Sequence, residues 1–189
     1  MTKISIVTPT FNEELNIEML CTAIKKEMEK LNLDYEHIII DNSSTDNTIK
    51  ILKEICLDDK KVKVIINSKN YGHIKSPFHG ILQSTGDACL LMVSDFQDPI
   101  ELIPQYIKKW QDGSKIVLGK KINSNENSLM FNIRKTFYNF LNRISETKLT
   151  DNTTGSGIFD KSVIEKLRKI NDPYPYFRGL LSELGEEID

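Results

Sequence analysis

The sequence predicts an α/β fold in which a mainly parallel sheet carries helices on both faces. Three observations lead to this fold class. Short apolar runs rich in β-branched residues alternate along the chain with longer helical stretches, the crossover connections that parallel strands require. The 189 residues are 39% hydrophobic and 28% charged, as expected of one folded domain with its own core. Each apolar run is shorter than the roughly 18 residues of a membrane span.

The first half of the chain predicts a βαβ unit and then a second helix. Residues 4–8 form a β-branched run that a proline ends, which indicates a buried strand. Over 17–31 the apolar residues recur at steps of three and four, so one helix face is apolar and the other charged. Residues 37–41 hold three consecutive isoleucines and predict the second strand. The helix-capping residue types that follow start a helix over 49–56.

The second half continues the alternation. Residues 62–66 predict a third strand, and 76–85 a helix whose internal glycine allows close backbone packing. A fourth strand is expected over 88–93, and the apolar positions at helical spacing over 100–110 predict the next helix. Residues 115–118 predict a fifth strand. Because parallel crossovers are right-handed, helices should cover both faces of this sheet.

Polar loops follow the predicted strands. In open α/β sheets, ligands bind beyond the carboxyl ends of the strands, so the loops that start at Pro9, Asp41, Lys69 and Asp95 should converge on one crevice. The first loop has neither G-x-G-x-x-G nor a Walker lysine motif, which argues against a dinucleotide dehydrogenase, a P-loop kinase and a nucleotidyltransferase. The net charge of −2, with both signs mixed along the chain, argues against nucleic acid as a partner.

The segments after the first and second strands have two interpretations. Taken alone, Asn12 and Asp46 are helix caps, and Asp41 is a solvated strand end. Taken together, the Asp41 carboxylate can accept the ring N–H of a pyrimidine or guanine base, while residues 9–13 form a wall for the base and the ribose. The second interpretation makes this edge of the sheet a nucleoside site.

The segment after the fourth strand has the chemistry of a metal site. Asp95 and Gln97 alternate with other residues along an extended stretch, which can aim both oxygen-bearing side chains at one hard cation. Mg²⁺ takes one or two carboxylates and leaves other positions to water and phosphates, which a nucleoside diphosphate would supply. Asp98 either takes part in the site or is an N-cap with Pro99 at the first helical position, and the sequence leaves both open.

Five segments, in this order and spacing, resemble the family-2 glycosyltransferases of GT-A, or Rossmann-like, fold over nearly the whole chain. The branch they resemble most is that of the polyprenyl-phosphate sugar synthases. The segments are residues 9–13, 41–48, 70–72, 86–87 and 95–99.

The resemblance implies roles for particular residues. Those implied to hold the nucleoside are Pro9, Phe11, Glu13, Asp41 and Asn70. Those implied to hold Mg²⁺ or Mn²⁺ are Asp95 and Gln97. Those implied to act in catalysis are Asp95, Asp98 and Arg134.

Two positions depart from the pattern of the family. Members commonly carry D-x-D ending at the position of Asp95, and Val93 stands where the first aspartate would be. Asn42 stands where an aspartate is frequent. The lost carboxylate makes metal binding depend more on Gln97, Asp98 and the nucleotide itself. It also keeps open an alternative, an inactive nucleotide-sugar-binding or regulatory domain.

The implied activity is inverting transfer of a sugar from a nucleoside diphosphate, with UDP expected before GDP, to a polyprenyl phosphate or a cell-surface glycan. The metal would neutralise charge that develops on the departing diphosphate. A phosphate monoester is largely ionised at neutral pH and needs no general base. A sugar hydroxyl would need one, and three carboxylates are available without one being favoured, those of Asp151, Asp160 and Glu183.

The acceptor side is implied to lie in the last third of the chain. Lys120, Lys121 and Arg134 correspond to a basic cluster that faces the acceptor phosphate in this branch, although a solvated helix face is preferred for Lys121. The aromatic residues over 137–141 suit core packing, and the alternative is a peripheral membrane contact.

Three remaining features concern the setting of the domain. Residues 153–160 resemble a glycine-rich acceptor-side turn of the family, and 175–180 a later segment of the same branch. After the last apolar run the chain stops at 185–189 without a closing helix, so we expect a single catalytic domain that precedes a membrane or closing segment. A cytoplasmic location is expected, since the N-terminus is too polar for a signal peptide, and a lipid-phosphate acceptor would place the domain at the inner face of the membrane. The three cysteines lie in apolar runs and should be reduced.

Overall fold

The structure is a computed structural model that describes residues 2–95, 98–120, 153–170, 172 and 175–189. Six strands form one sheet, namely β1 Lys3–Thr10, β2 Asp34–Asp41, β3 Val62–Ile66, β4 Ala88–Leu91, β5 Ile116–Lys120 and β6 Thr153–Asp160. The helices are α1 Ile17–Leu31, α2 Thr48–Asp58, α3 Gly72–Leu82, α4 Ile103–Gln111 after a 3₁₀ turn at Ile100–Leu102, α5 Lys161–Arg168 and α6 Phe177–Glu183.

The sheet confirms the predicted α/β class. Its strand order is β3-β2-β1-β4-β6-β5, in which β1 to β4 pair in parallel and β6 runs antiparallel between β4 and β5. The expected acceptor-side turn at 153–160 is therefore a strand. Gly157 makes the pairing possible, because a Cβ there would lie 2.7 Å from the carbonyl oxygen of Val117.

Helices cover both faces of the sheet, as the alternation of elements predicts. Ile4 and Ile6 of β1 point into a core under α1 and α4, whereas Val7 points into a second core under α3, α5 and α6. The predicted apolar face of the 100–110 helix is confirmed, since Ile103 and Ile107 are buried in the first core. Cys21 and Cys89 are buried and Cys56 half-buried, all as free thiols.

The first strand is longer than predicted. Pro9 and Thr10 still pair with Ile40 and Asp41 of β2, so the proline does not end the strand. Met92 donates its N–H to the carbonyl of Val7, so the backbone groups of Val7 point towards β4. The backbone groups of residues two apart in a strand point towards the same neighbouring strand. The N–H that Pro9 lacks would therefore point beyond the end of β4, where a proline costs no hydrogen bond.

Other boundaries also differ from the predictions. β2 begins at Asp34 rather than at residue 37, and α3 begins at Gly72 and ends at Leu82 rather than spanning 76–85. The last residues also belong to the sheet, since Ile188 pairs in parallel with Ile116 of β5. Within the described part of the chain, no helix is both long and apolar enough to cross a bilayer.

Candidate functional site

A cleft of about 780 Å³ opens at the carboxyl ends of the parallel strands. This volume is within the usual range for sites that hold a small-molecule ligand. The loops after β1, β2, β3 and β4 all contribute to its lining, together with the start of β6 and the first turn of α6. Of the residues predicted to hold the nucleoside or the metal, those that line the cleft are Pro9, Phe11, Glu13, Asn70 and Asp95.

Side-chain to backbone hydrogen bonds hold the loops after β1 and β2 together. Asn12, at a φ of 55°, accepts a 2.8 Å hydrogen bond from the Thr45 N–H through Oδ1. Glu13 donates its N–H to the hydroxyl of Thr48 at 2.8 Å, and Asp46 accepts the N–H of Glu14 at 3.2 Å. The helices begin after Asn16 and Asn47, so Asn12 is a bridge between loops and not a helix cap.

Asp46 has the capping role that the sequence indicates and also bonds to the first loop. Besides the N–H of Glu14, its carboxylate accepts the N–H of Thr48, the first residue of α2, at 3.0 Å. Desolvation alone would raise the pKa of Asp46, but the hydrogen bonds from Thr48 and Glu14 outweigh it and lower that pKa. The charged carboxylate thus both starts α2 and holds the first loop, and with it Glu13, beside the cleft.

Asp41 lies beneath the site and is fully buried. Its carboxylate accepts hydrogen bonds from the N–H of Ser44, at 2.9 Å, and from the Ser44 hydroxyl. A direct contact between Asp41 and a nucleoside base would therefore require the loop around Ser44 to move. The predicted base contact remains a prediction, and the structure adds a local role for Asp41 in shaping the loop after β2.

Asn42 is the cleft residue whose importance the sequence did not reveal. Its amide Nδ2 donates to Oδ1 of Asn70 at 2.9 Å, while its Oδ1 accepts the N–H of Tyr71 at 2.9 Å and Nδ2 of Asn67 at 3.2 Å. The predicted nucleoside residue Asn70 is thus held in place by the side chain that follows β2. The only signal in the sequence was that an asparagine replaces the aspartate frequent in the family.

The segment after β4 supplies one exposed carboxylate to the cleft, that of Asp95. Gln97 lies outside the described residues, and these residues contain no cluster of three or more His, Cys, Asp or Glu arranged to hold a metal ion. A single carboxylate from this segment fits the way Mg²⁺ binds when water and a nucleotide diphosphate supply most of its ligands. Val93 also lines the cleft, at the position where the family commonly has a further aspartate.

Asp98 does not cap the following helix. It is buried, its Oδ2 accepts a 2.6 Å hydrogen bond from the hydroxyl of Ser156, and the 3₁₀ turn begins after Pro99. The bond joins the loop after β4 to the start of β6, which lines the same cleft. In this arrangement Asp98 positions the loop that carries Asp95, and its predicted catalytic role remains a prediction.

The start of β6 and the first turn of α6 form another wall of the cleft. Gly155 approaches the loop after β4 so closely that a Cβ would lie 2.8 Å from Cγ1 of Val93. Tyr176, Phe177 and Arg178 line the same wall. The sequence marked 175–180 as a segment typical of the branch but gave its residues no role.

Two candidate bases lie away from this cleft. β6 runs antiparallel to β4, so Asp160 is level with Ala88 at the opposite end of the sheet, where it accepts hydrogen bonds from Trp110 and Ser162. Glu183 is exposed on the last turn of α6 and does not line the cleft. Asp160 is therefore not placed to act as the general base of this cleft. Lys120 is exposed at the end of β5.

Several predicted residues fall outside the described part of the chain. These are Gln97, Lys121, Arg134, Asp151 and the aromatic residues over 137–141.

The fold is that of one class of solved proteins, the glycosyltransferases of GT-A fold. The mannosyltransferase PcManGT from Pyrobaculum calidifontis, in complex with GDP-Man and Mn²⁺, superimposes with a TM-score of 0.60 at 18% identity, over 88% of this chain and 46% of that one. Glucosyl-3-phosphoglycerate synthase from Mycobacterium tuberculosis, in complex with Mn²⁺, UDP and phosphoglyceric acid, superimposes with a TM-score of 0.58 at 19% identity, over 86% and 57%.

The chain belongs to the glycosyl transferase family 2, whose family model matches residues 5–168. A prophage bactoprenol glucosyl transferase homolog from Escherichia coli strain K12 is 31% identical over 188 residues, which are 99% of this chain and 61% of that protein. The chain thus spans 61% of the length of this relative. The resemblance inferred from the five sequence segments is confirmed.

Proposed function

We propose that this chain is the catalytic domain of a metal-dependent, inverting glycosyltransferase that moves a sugar from a nucleoside diphosphate, UDP before GDP, to a polyprenyl phosphate. The observation that carries the proposal is the cleft at the carboxyl ends of β1, β2 and β4, where the loop that holds Glu13 and the carboxylate of Asp95 face the same space. That is the place where open α/β sheets bind ligands. The relative's printed name, a bactoprenol glucosyl transferase homolog, supports a polyprenol-linked acceptor.

The residues of the cleft suit the two halves of a nucleotide sugar. Pro9 and Phe11 offer an apolar wall for the base, and Asn70, held by Asn42, offers amide groups for polar contacts of the nucleoside. Asp95, with Gln97, would hold the Mg²⁺ or Mn²⁺, which when bound neutralises negative charge on the diphosphate. Complexes of the two GT-A neighbours with Mn²⁺ and a GDP sugar or UDP support this assignment.

The acceptor chemistry explains why the cleft can work without a general base. In the proposed reaction a phosphate oxygen of the acceptor forms a bond to the anomeric carbon as the bond from that carbon to the nucleoside diphosphate breaks, which inverts the configuration. A phosphate monoester, with a second pKa of about 6, supplies an ionised oxygen at neutral pH. A cell-surface glycan would instead need a carboxylate to take the proton of its hydroxyl. Of the three candidates, Asp160 lies at the opposite end of the sheet, Glu183 does not line the cleft and Asp151 is outside the described residues.

One observation favours a second candidate, a domain that binds nucleotide sugars without turnover. Val93 lines the cleft beside Asp95 and offers no oxygen to a cation. Transfer of labelled sugar to a polyprenyl phosphate, or metal-dependent hydrolysis of the donor, distinguishes the two candidates. Nucleotide binding with neither reaction would establish the binding domain.

The direct test is calorimetric titration of UDP and GDP into the wild type and into Asp95→Ala, with Mn²⁺ and with a chelator. We expect nucleotide binding to require the metal and to weaken by about 100-fold in Asp95→Ala, since one of few protein ligands is lost. Asp58→Ala, which removes an exposed carboxylate at the end of α2, is the control and should bind like the wild type. Failure of a folded wild type to bind either nucleotide would rule out the proposed function.

A further inference from the structure

The charge of the cleft suggests a binding residue that neither the sequence patterns nor the comparisons assign. Of the described residues that line the cleft, Glu13 and Asp95 carry negative charge and only Arg178 carries a permanent positive charge. A reaction between a nucleoside diphosphate and a phosphate acceptor would bring several negative charges into this space. A divalent cation on Asp95 would offset part of that charge, and the rest requires a protein cation within reach.

The fold holds Arg178 in the wall of the cleft from both sides. The ring of the preceding Phe177 lies 5.2 Å from that of Phe159 in β6 and 5.9 Å from that of Phe78 in α3. Leu181, three residues after Arg178 and therefore on the same helix face, is buried and also lines the cleft. These contacts anchor α6 to the sheet and to a neighbouring helix, which fixes the direction from which Arg178 enters the cleft.

The backbone at the start of α6 is closely packed as well. A Cβ on Gly179 would lie 2.6 Å from the ring of Tyr176, so the glycine lets this ring cover the backbone beside Arg178. Tyr176 and Arg178 are both exposed and line the cleft together. Because the guanidinium is already exposed, it can contact a ligand without first moving out of the protein interior.

We propose that Arg178 binds the phosphate oxygens of the reactants in the cleft, an assignment that rests on the proposed function. The planar guanidinium presents paired N–H donors that match two oxygens of one phosphate, a geometry that lysine does not reproduce. Two phosphates offer this chemistry, the diphosphate of the donor and the phosphate of the acceptor. The experiment distinguishes them by measuring each against a matched ligand without phosphate.

The test titrates UDP and GDP, each compared with its nucleoside, into wild type, Arg178→Gln and Arg178→Lys in the presence of Mn²⁺. Farnesyl phosphate, compared with farnesol, is titrated in the presence of the preferred nucleotide and Mn²⁺. The control is Lys53→Gln, which removes one positive charge from an exposed position on α2. Thermal unfolding of each variant checks that α6 stays in place.

We expect Arg178→Gln to lower the affinity for one phosphate ligand by about 10- to 100-fold, because a charge-assisted pair of hydrogen bonds is lost. The affinity for the matching ligand without phosphate should stay unchanged. Arg178→Lys should recover part of the loss. Weaker UDP or GDP binding assigns Arg178 to the donor diphosphate, and weaker farnesyl phosphate binding assigns it to the acceptor.

Two results would overturn the proposal in different ways. Suppose that the wild type binds a nucleotide and that Arg178→Gln changes the affinity for neither phosphate ligand by more than the Lys53→Gln control does. The assignment of Arg178 is then wrong, and the proposed function stands. If the folded wild type binds neither UDP nor GDP, the proposed function fails and the assignment of Arg178 fails with it.

Discussion

Two polar networks, each centred on a buried side chain, lie at opposite ends of β2 and differ in chemistry. Near the amino end, the Glu36 carboxylate accepts hydrogen bonds from Ser5 at 2.6 Å, from the N–H of Thr85 at 2.8 Å and from Lys63 at 2.6 Å. Just past the carboxyl end, the neutral amide of Asn42 both donates and accepts, and it borders the cleft. One network is charged and closed, and the other is neutral and lies beside the ligand space.

The difference shows how one strand can stabilise the fold at one end and position the residues of the cleft at the other. A buried carboxylate is stable only when donors surround it, and the donors of Glu36 come from β1, β3 and the segment before β4, so it ties these parts together. At the cleft, a neutral amide fixes the loop after β3 without adding charge that would compete with the Asp95 carboxylate or with a phosphate ligand.

The largest effect is expected from Glu36→Ala, which breaks the closed network. Burial alone would raise the pKa of Glu36, but hydrogen bonds from Lys63, Ser5 and Thr85 outweigh it and lower that pKa to about 2. We expect the substitution to lower the free energy of unfolding by about 4 kcal/mol, because the buried hydroxyl of Ser5, the N–H of Thr85 and the ammonium of Lys63 all lose their charged acceptor. Urea unfolding measures this loss.

The control for this prediction is Glu54→Ala, an exposed carboxylate on α2, which should change stability by less than about 0.5 kcal/mol. The nucleotide affinity of Glu36→Ala, measured where the protein is fully folded, should equal that of the wild type. A large loss of affinity with little loss of stability would show that the two networks are not separate in function.

A smaller effect is expected from the pH dependence of His37, the neighbour of Glu36 in β2. Burial lowers its pKa from 6.5 to about 4, and its Nε2 lies 2.9 Å from the hydroxyl of Thr8. Between these values the unfolded chain binds a proton that the folded chain does not, so stability is complete above pH 6.5 and is lost as the pH falls towards 4. The loss should reach about 3 kcal/mol.

Urea unfolding at pH 7.5, 6, 5 and 4.5 measures this loss for wild type and His37→Gln. In His37→Gln the free energy of unfolding should depend much less on pH between 6.5 and 4.5. His79→Gln, on an exposed face of α3, should keep the pH dependence of the wild type. Glu36 does not contribute in this window, since its stabilisation is lost only as the pH falls from 4.5 towards 2. An unchanged slope in His37→Gln would contradict the assignment.

The smallest effect on stability is expected from Asn42→Asp, which tests the network at the cleft. A carboxylate cannot donate, so it would place an oxygen against Oδ1 of Asn70 where Nδ2 now lies at 2.9 Å. We expect nucleotide affinity to fall by about tenfold and the free energy of unfolding by about 1 kcal/mol. Gln83→Glu makes the same change of amide to carboxylate at an exposed position and should affect neither. A rise in affinity would show that this position contacts the nucleotide directly.

The sequence predicted most of the fold because the apolar spacing of each element is local. The helix over 17–31 and the strand over 62–66 have the predicted limits. β1 was predicted too short because the effect of Pro9 depends on where β4 ends, which the sequence of β1 does not contain. β6 was expected as a turn because residues 153–160 resemble a glycine-rich turn of the family, whereas in the sheet Gly157 permits close approach to β5.

The site was predicted only in part, because local motifs identify some of its residues and long-range contacts place the others. Pro9, Phe11, Glu13, Asn70 and Asp95 were identified because they stand at strand ends in segments typical of the family, and all five line the cleft. Arg178 was missed because it reaches the cleft through the ring contacts of Phe177 with two elements that are distant in sequence.

The sequence by itself determined the fold class, the strand ends that surround the cleft and the membership of the chain in glycosyl transferase family 2. It could do so because apolar periodicity and loop motifs depend on residues close together in the chain. Only the tertiary structure decided that Asn42 holds Asn70 and that Asp98 accepts a hydrogen bond from Ser156. It also decided that Asp160 lies at the end of the sheet opposite to the cleft. These are distances between side chains on separate strands and loops, and the order of strands and the direction of β6 set them.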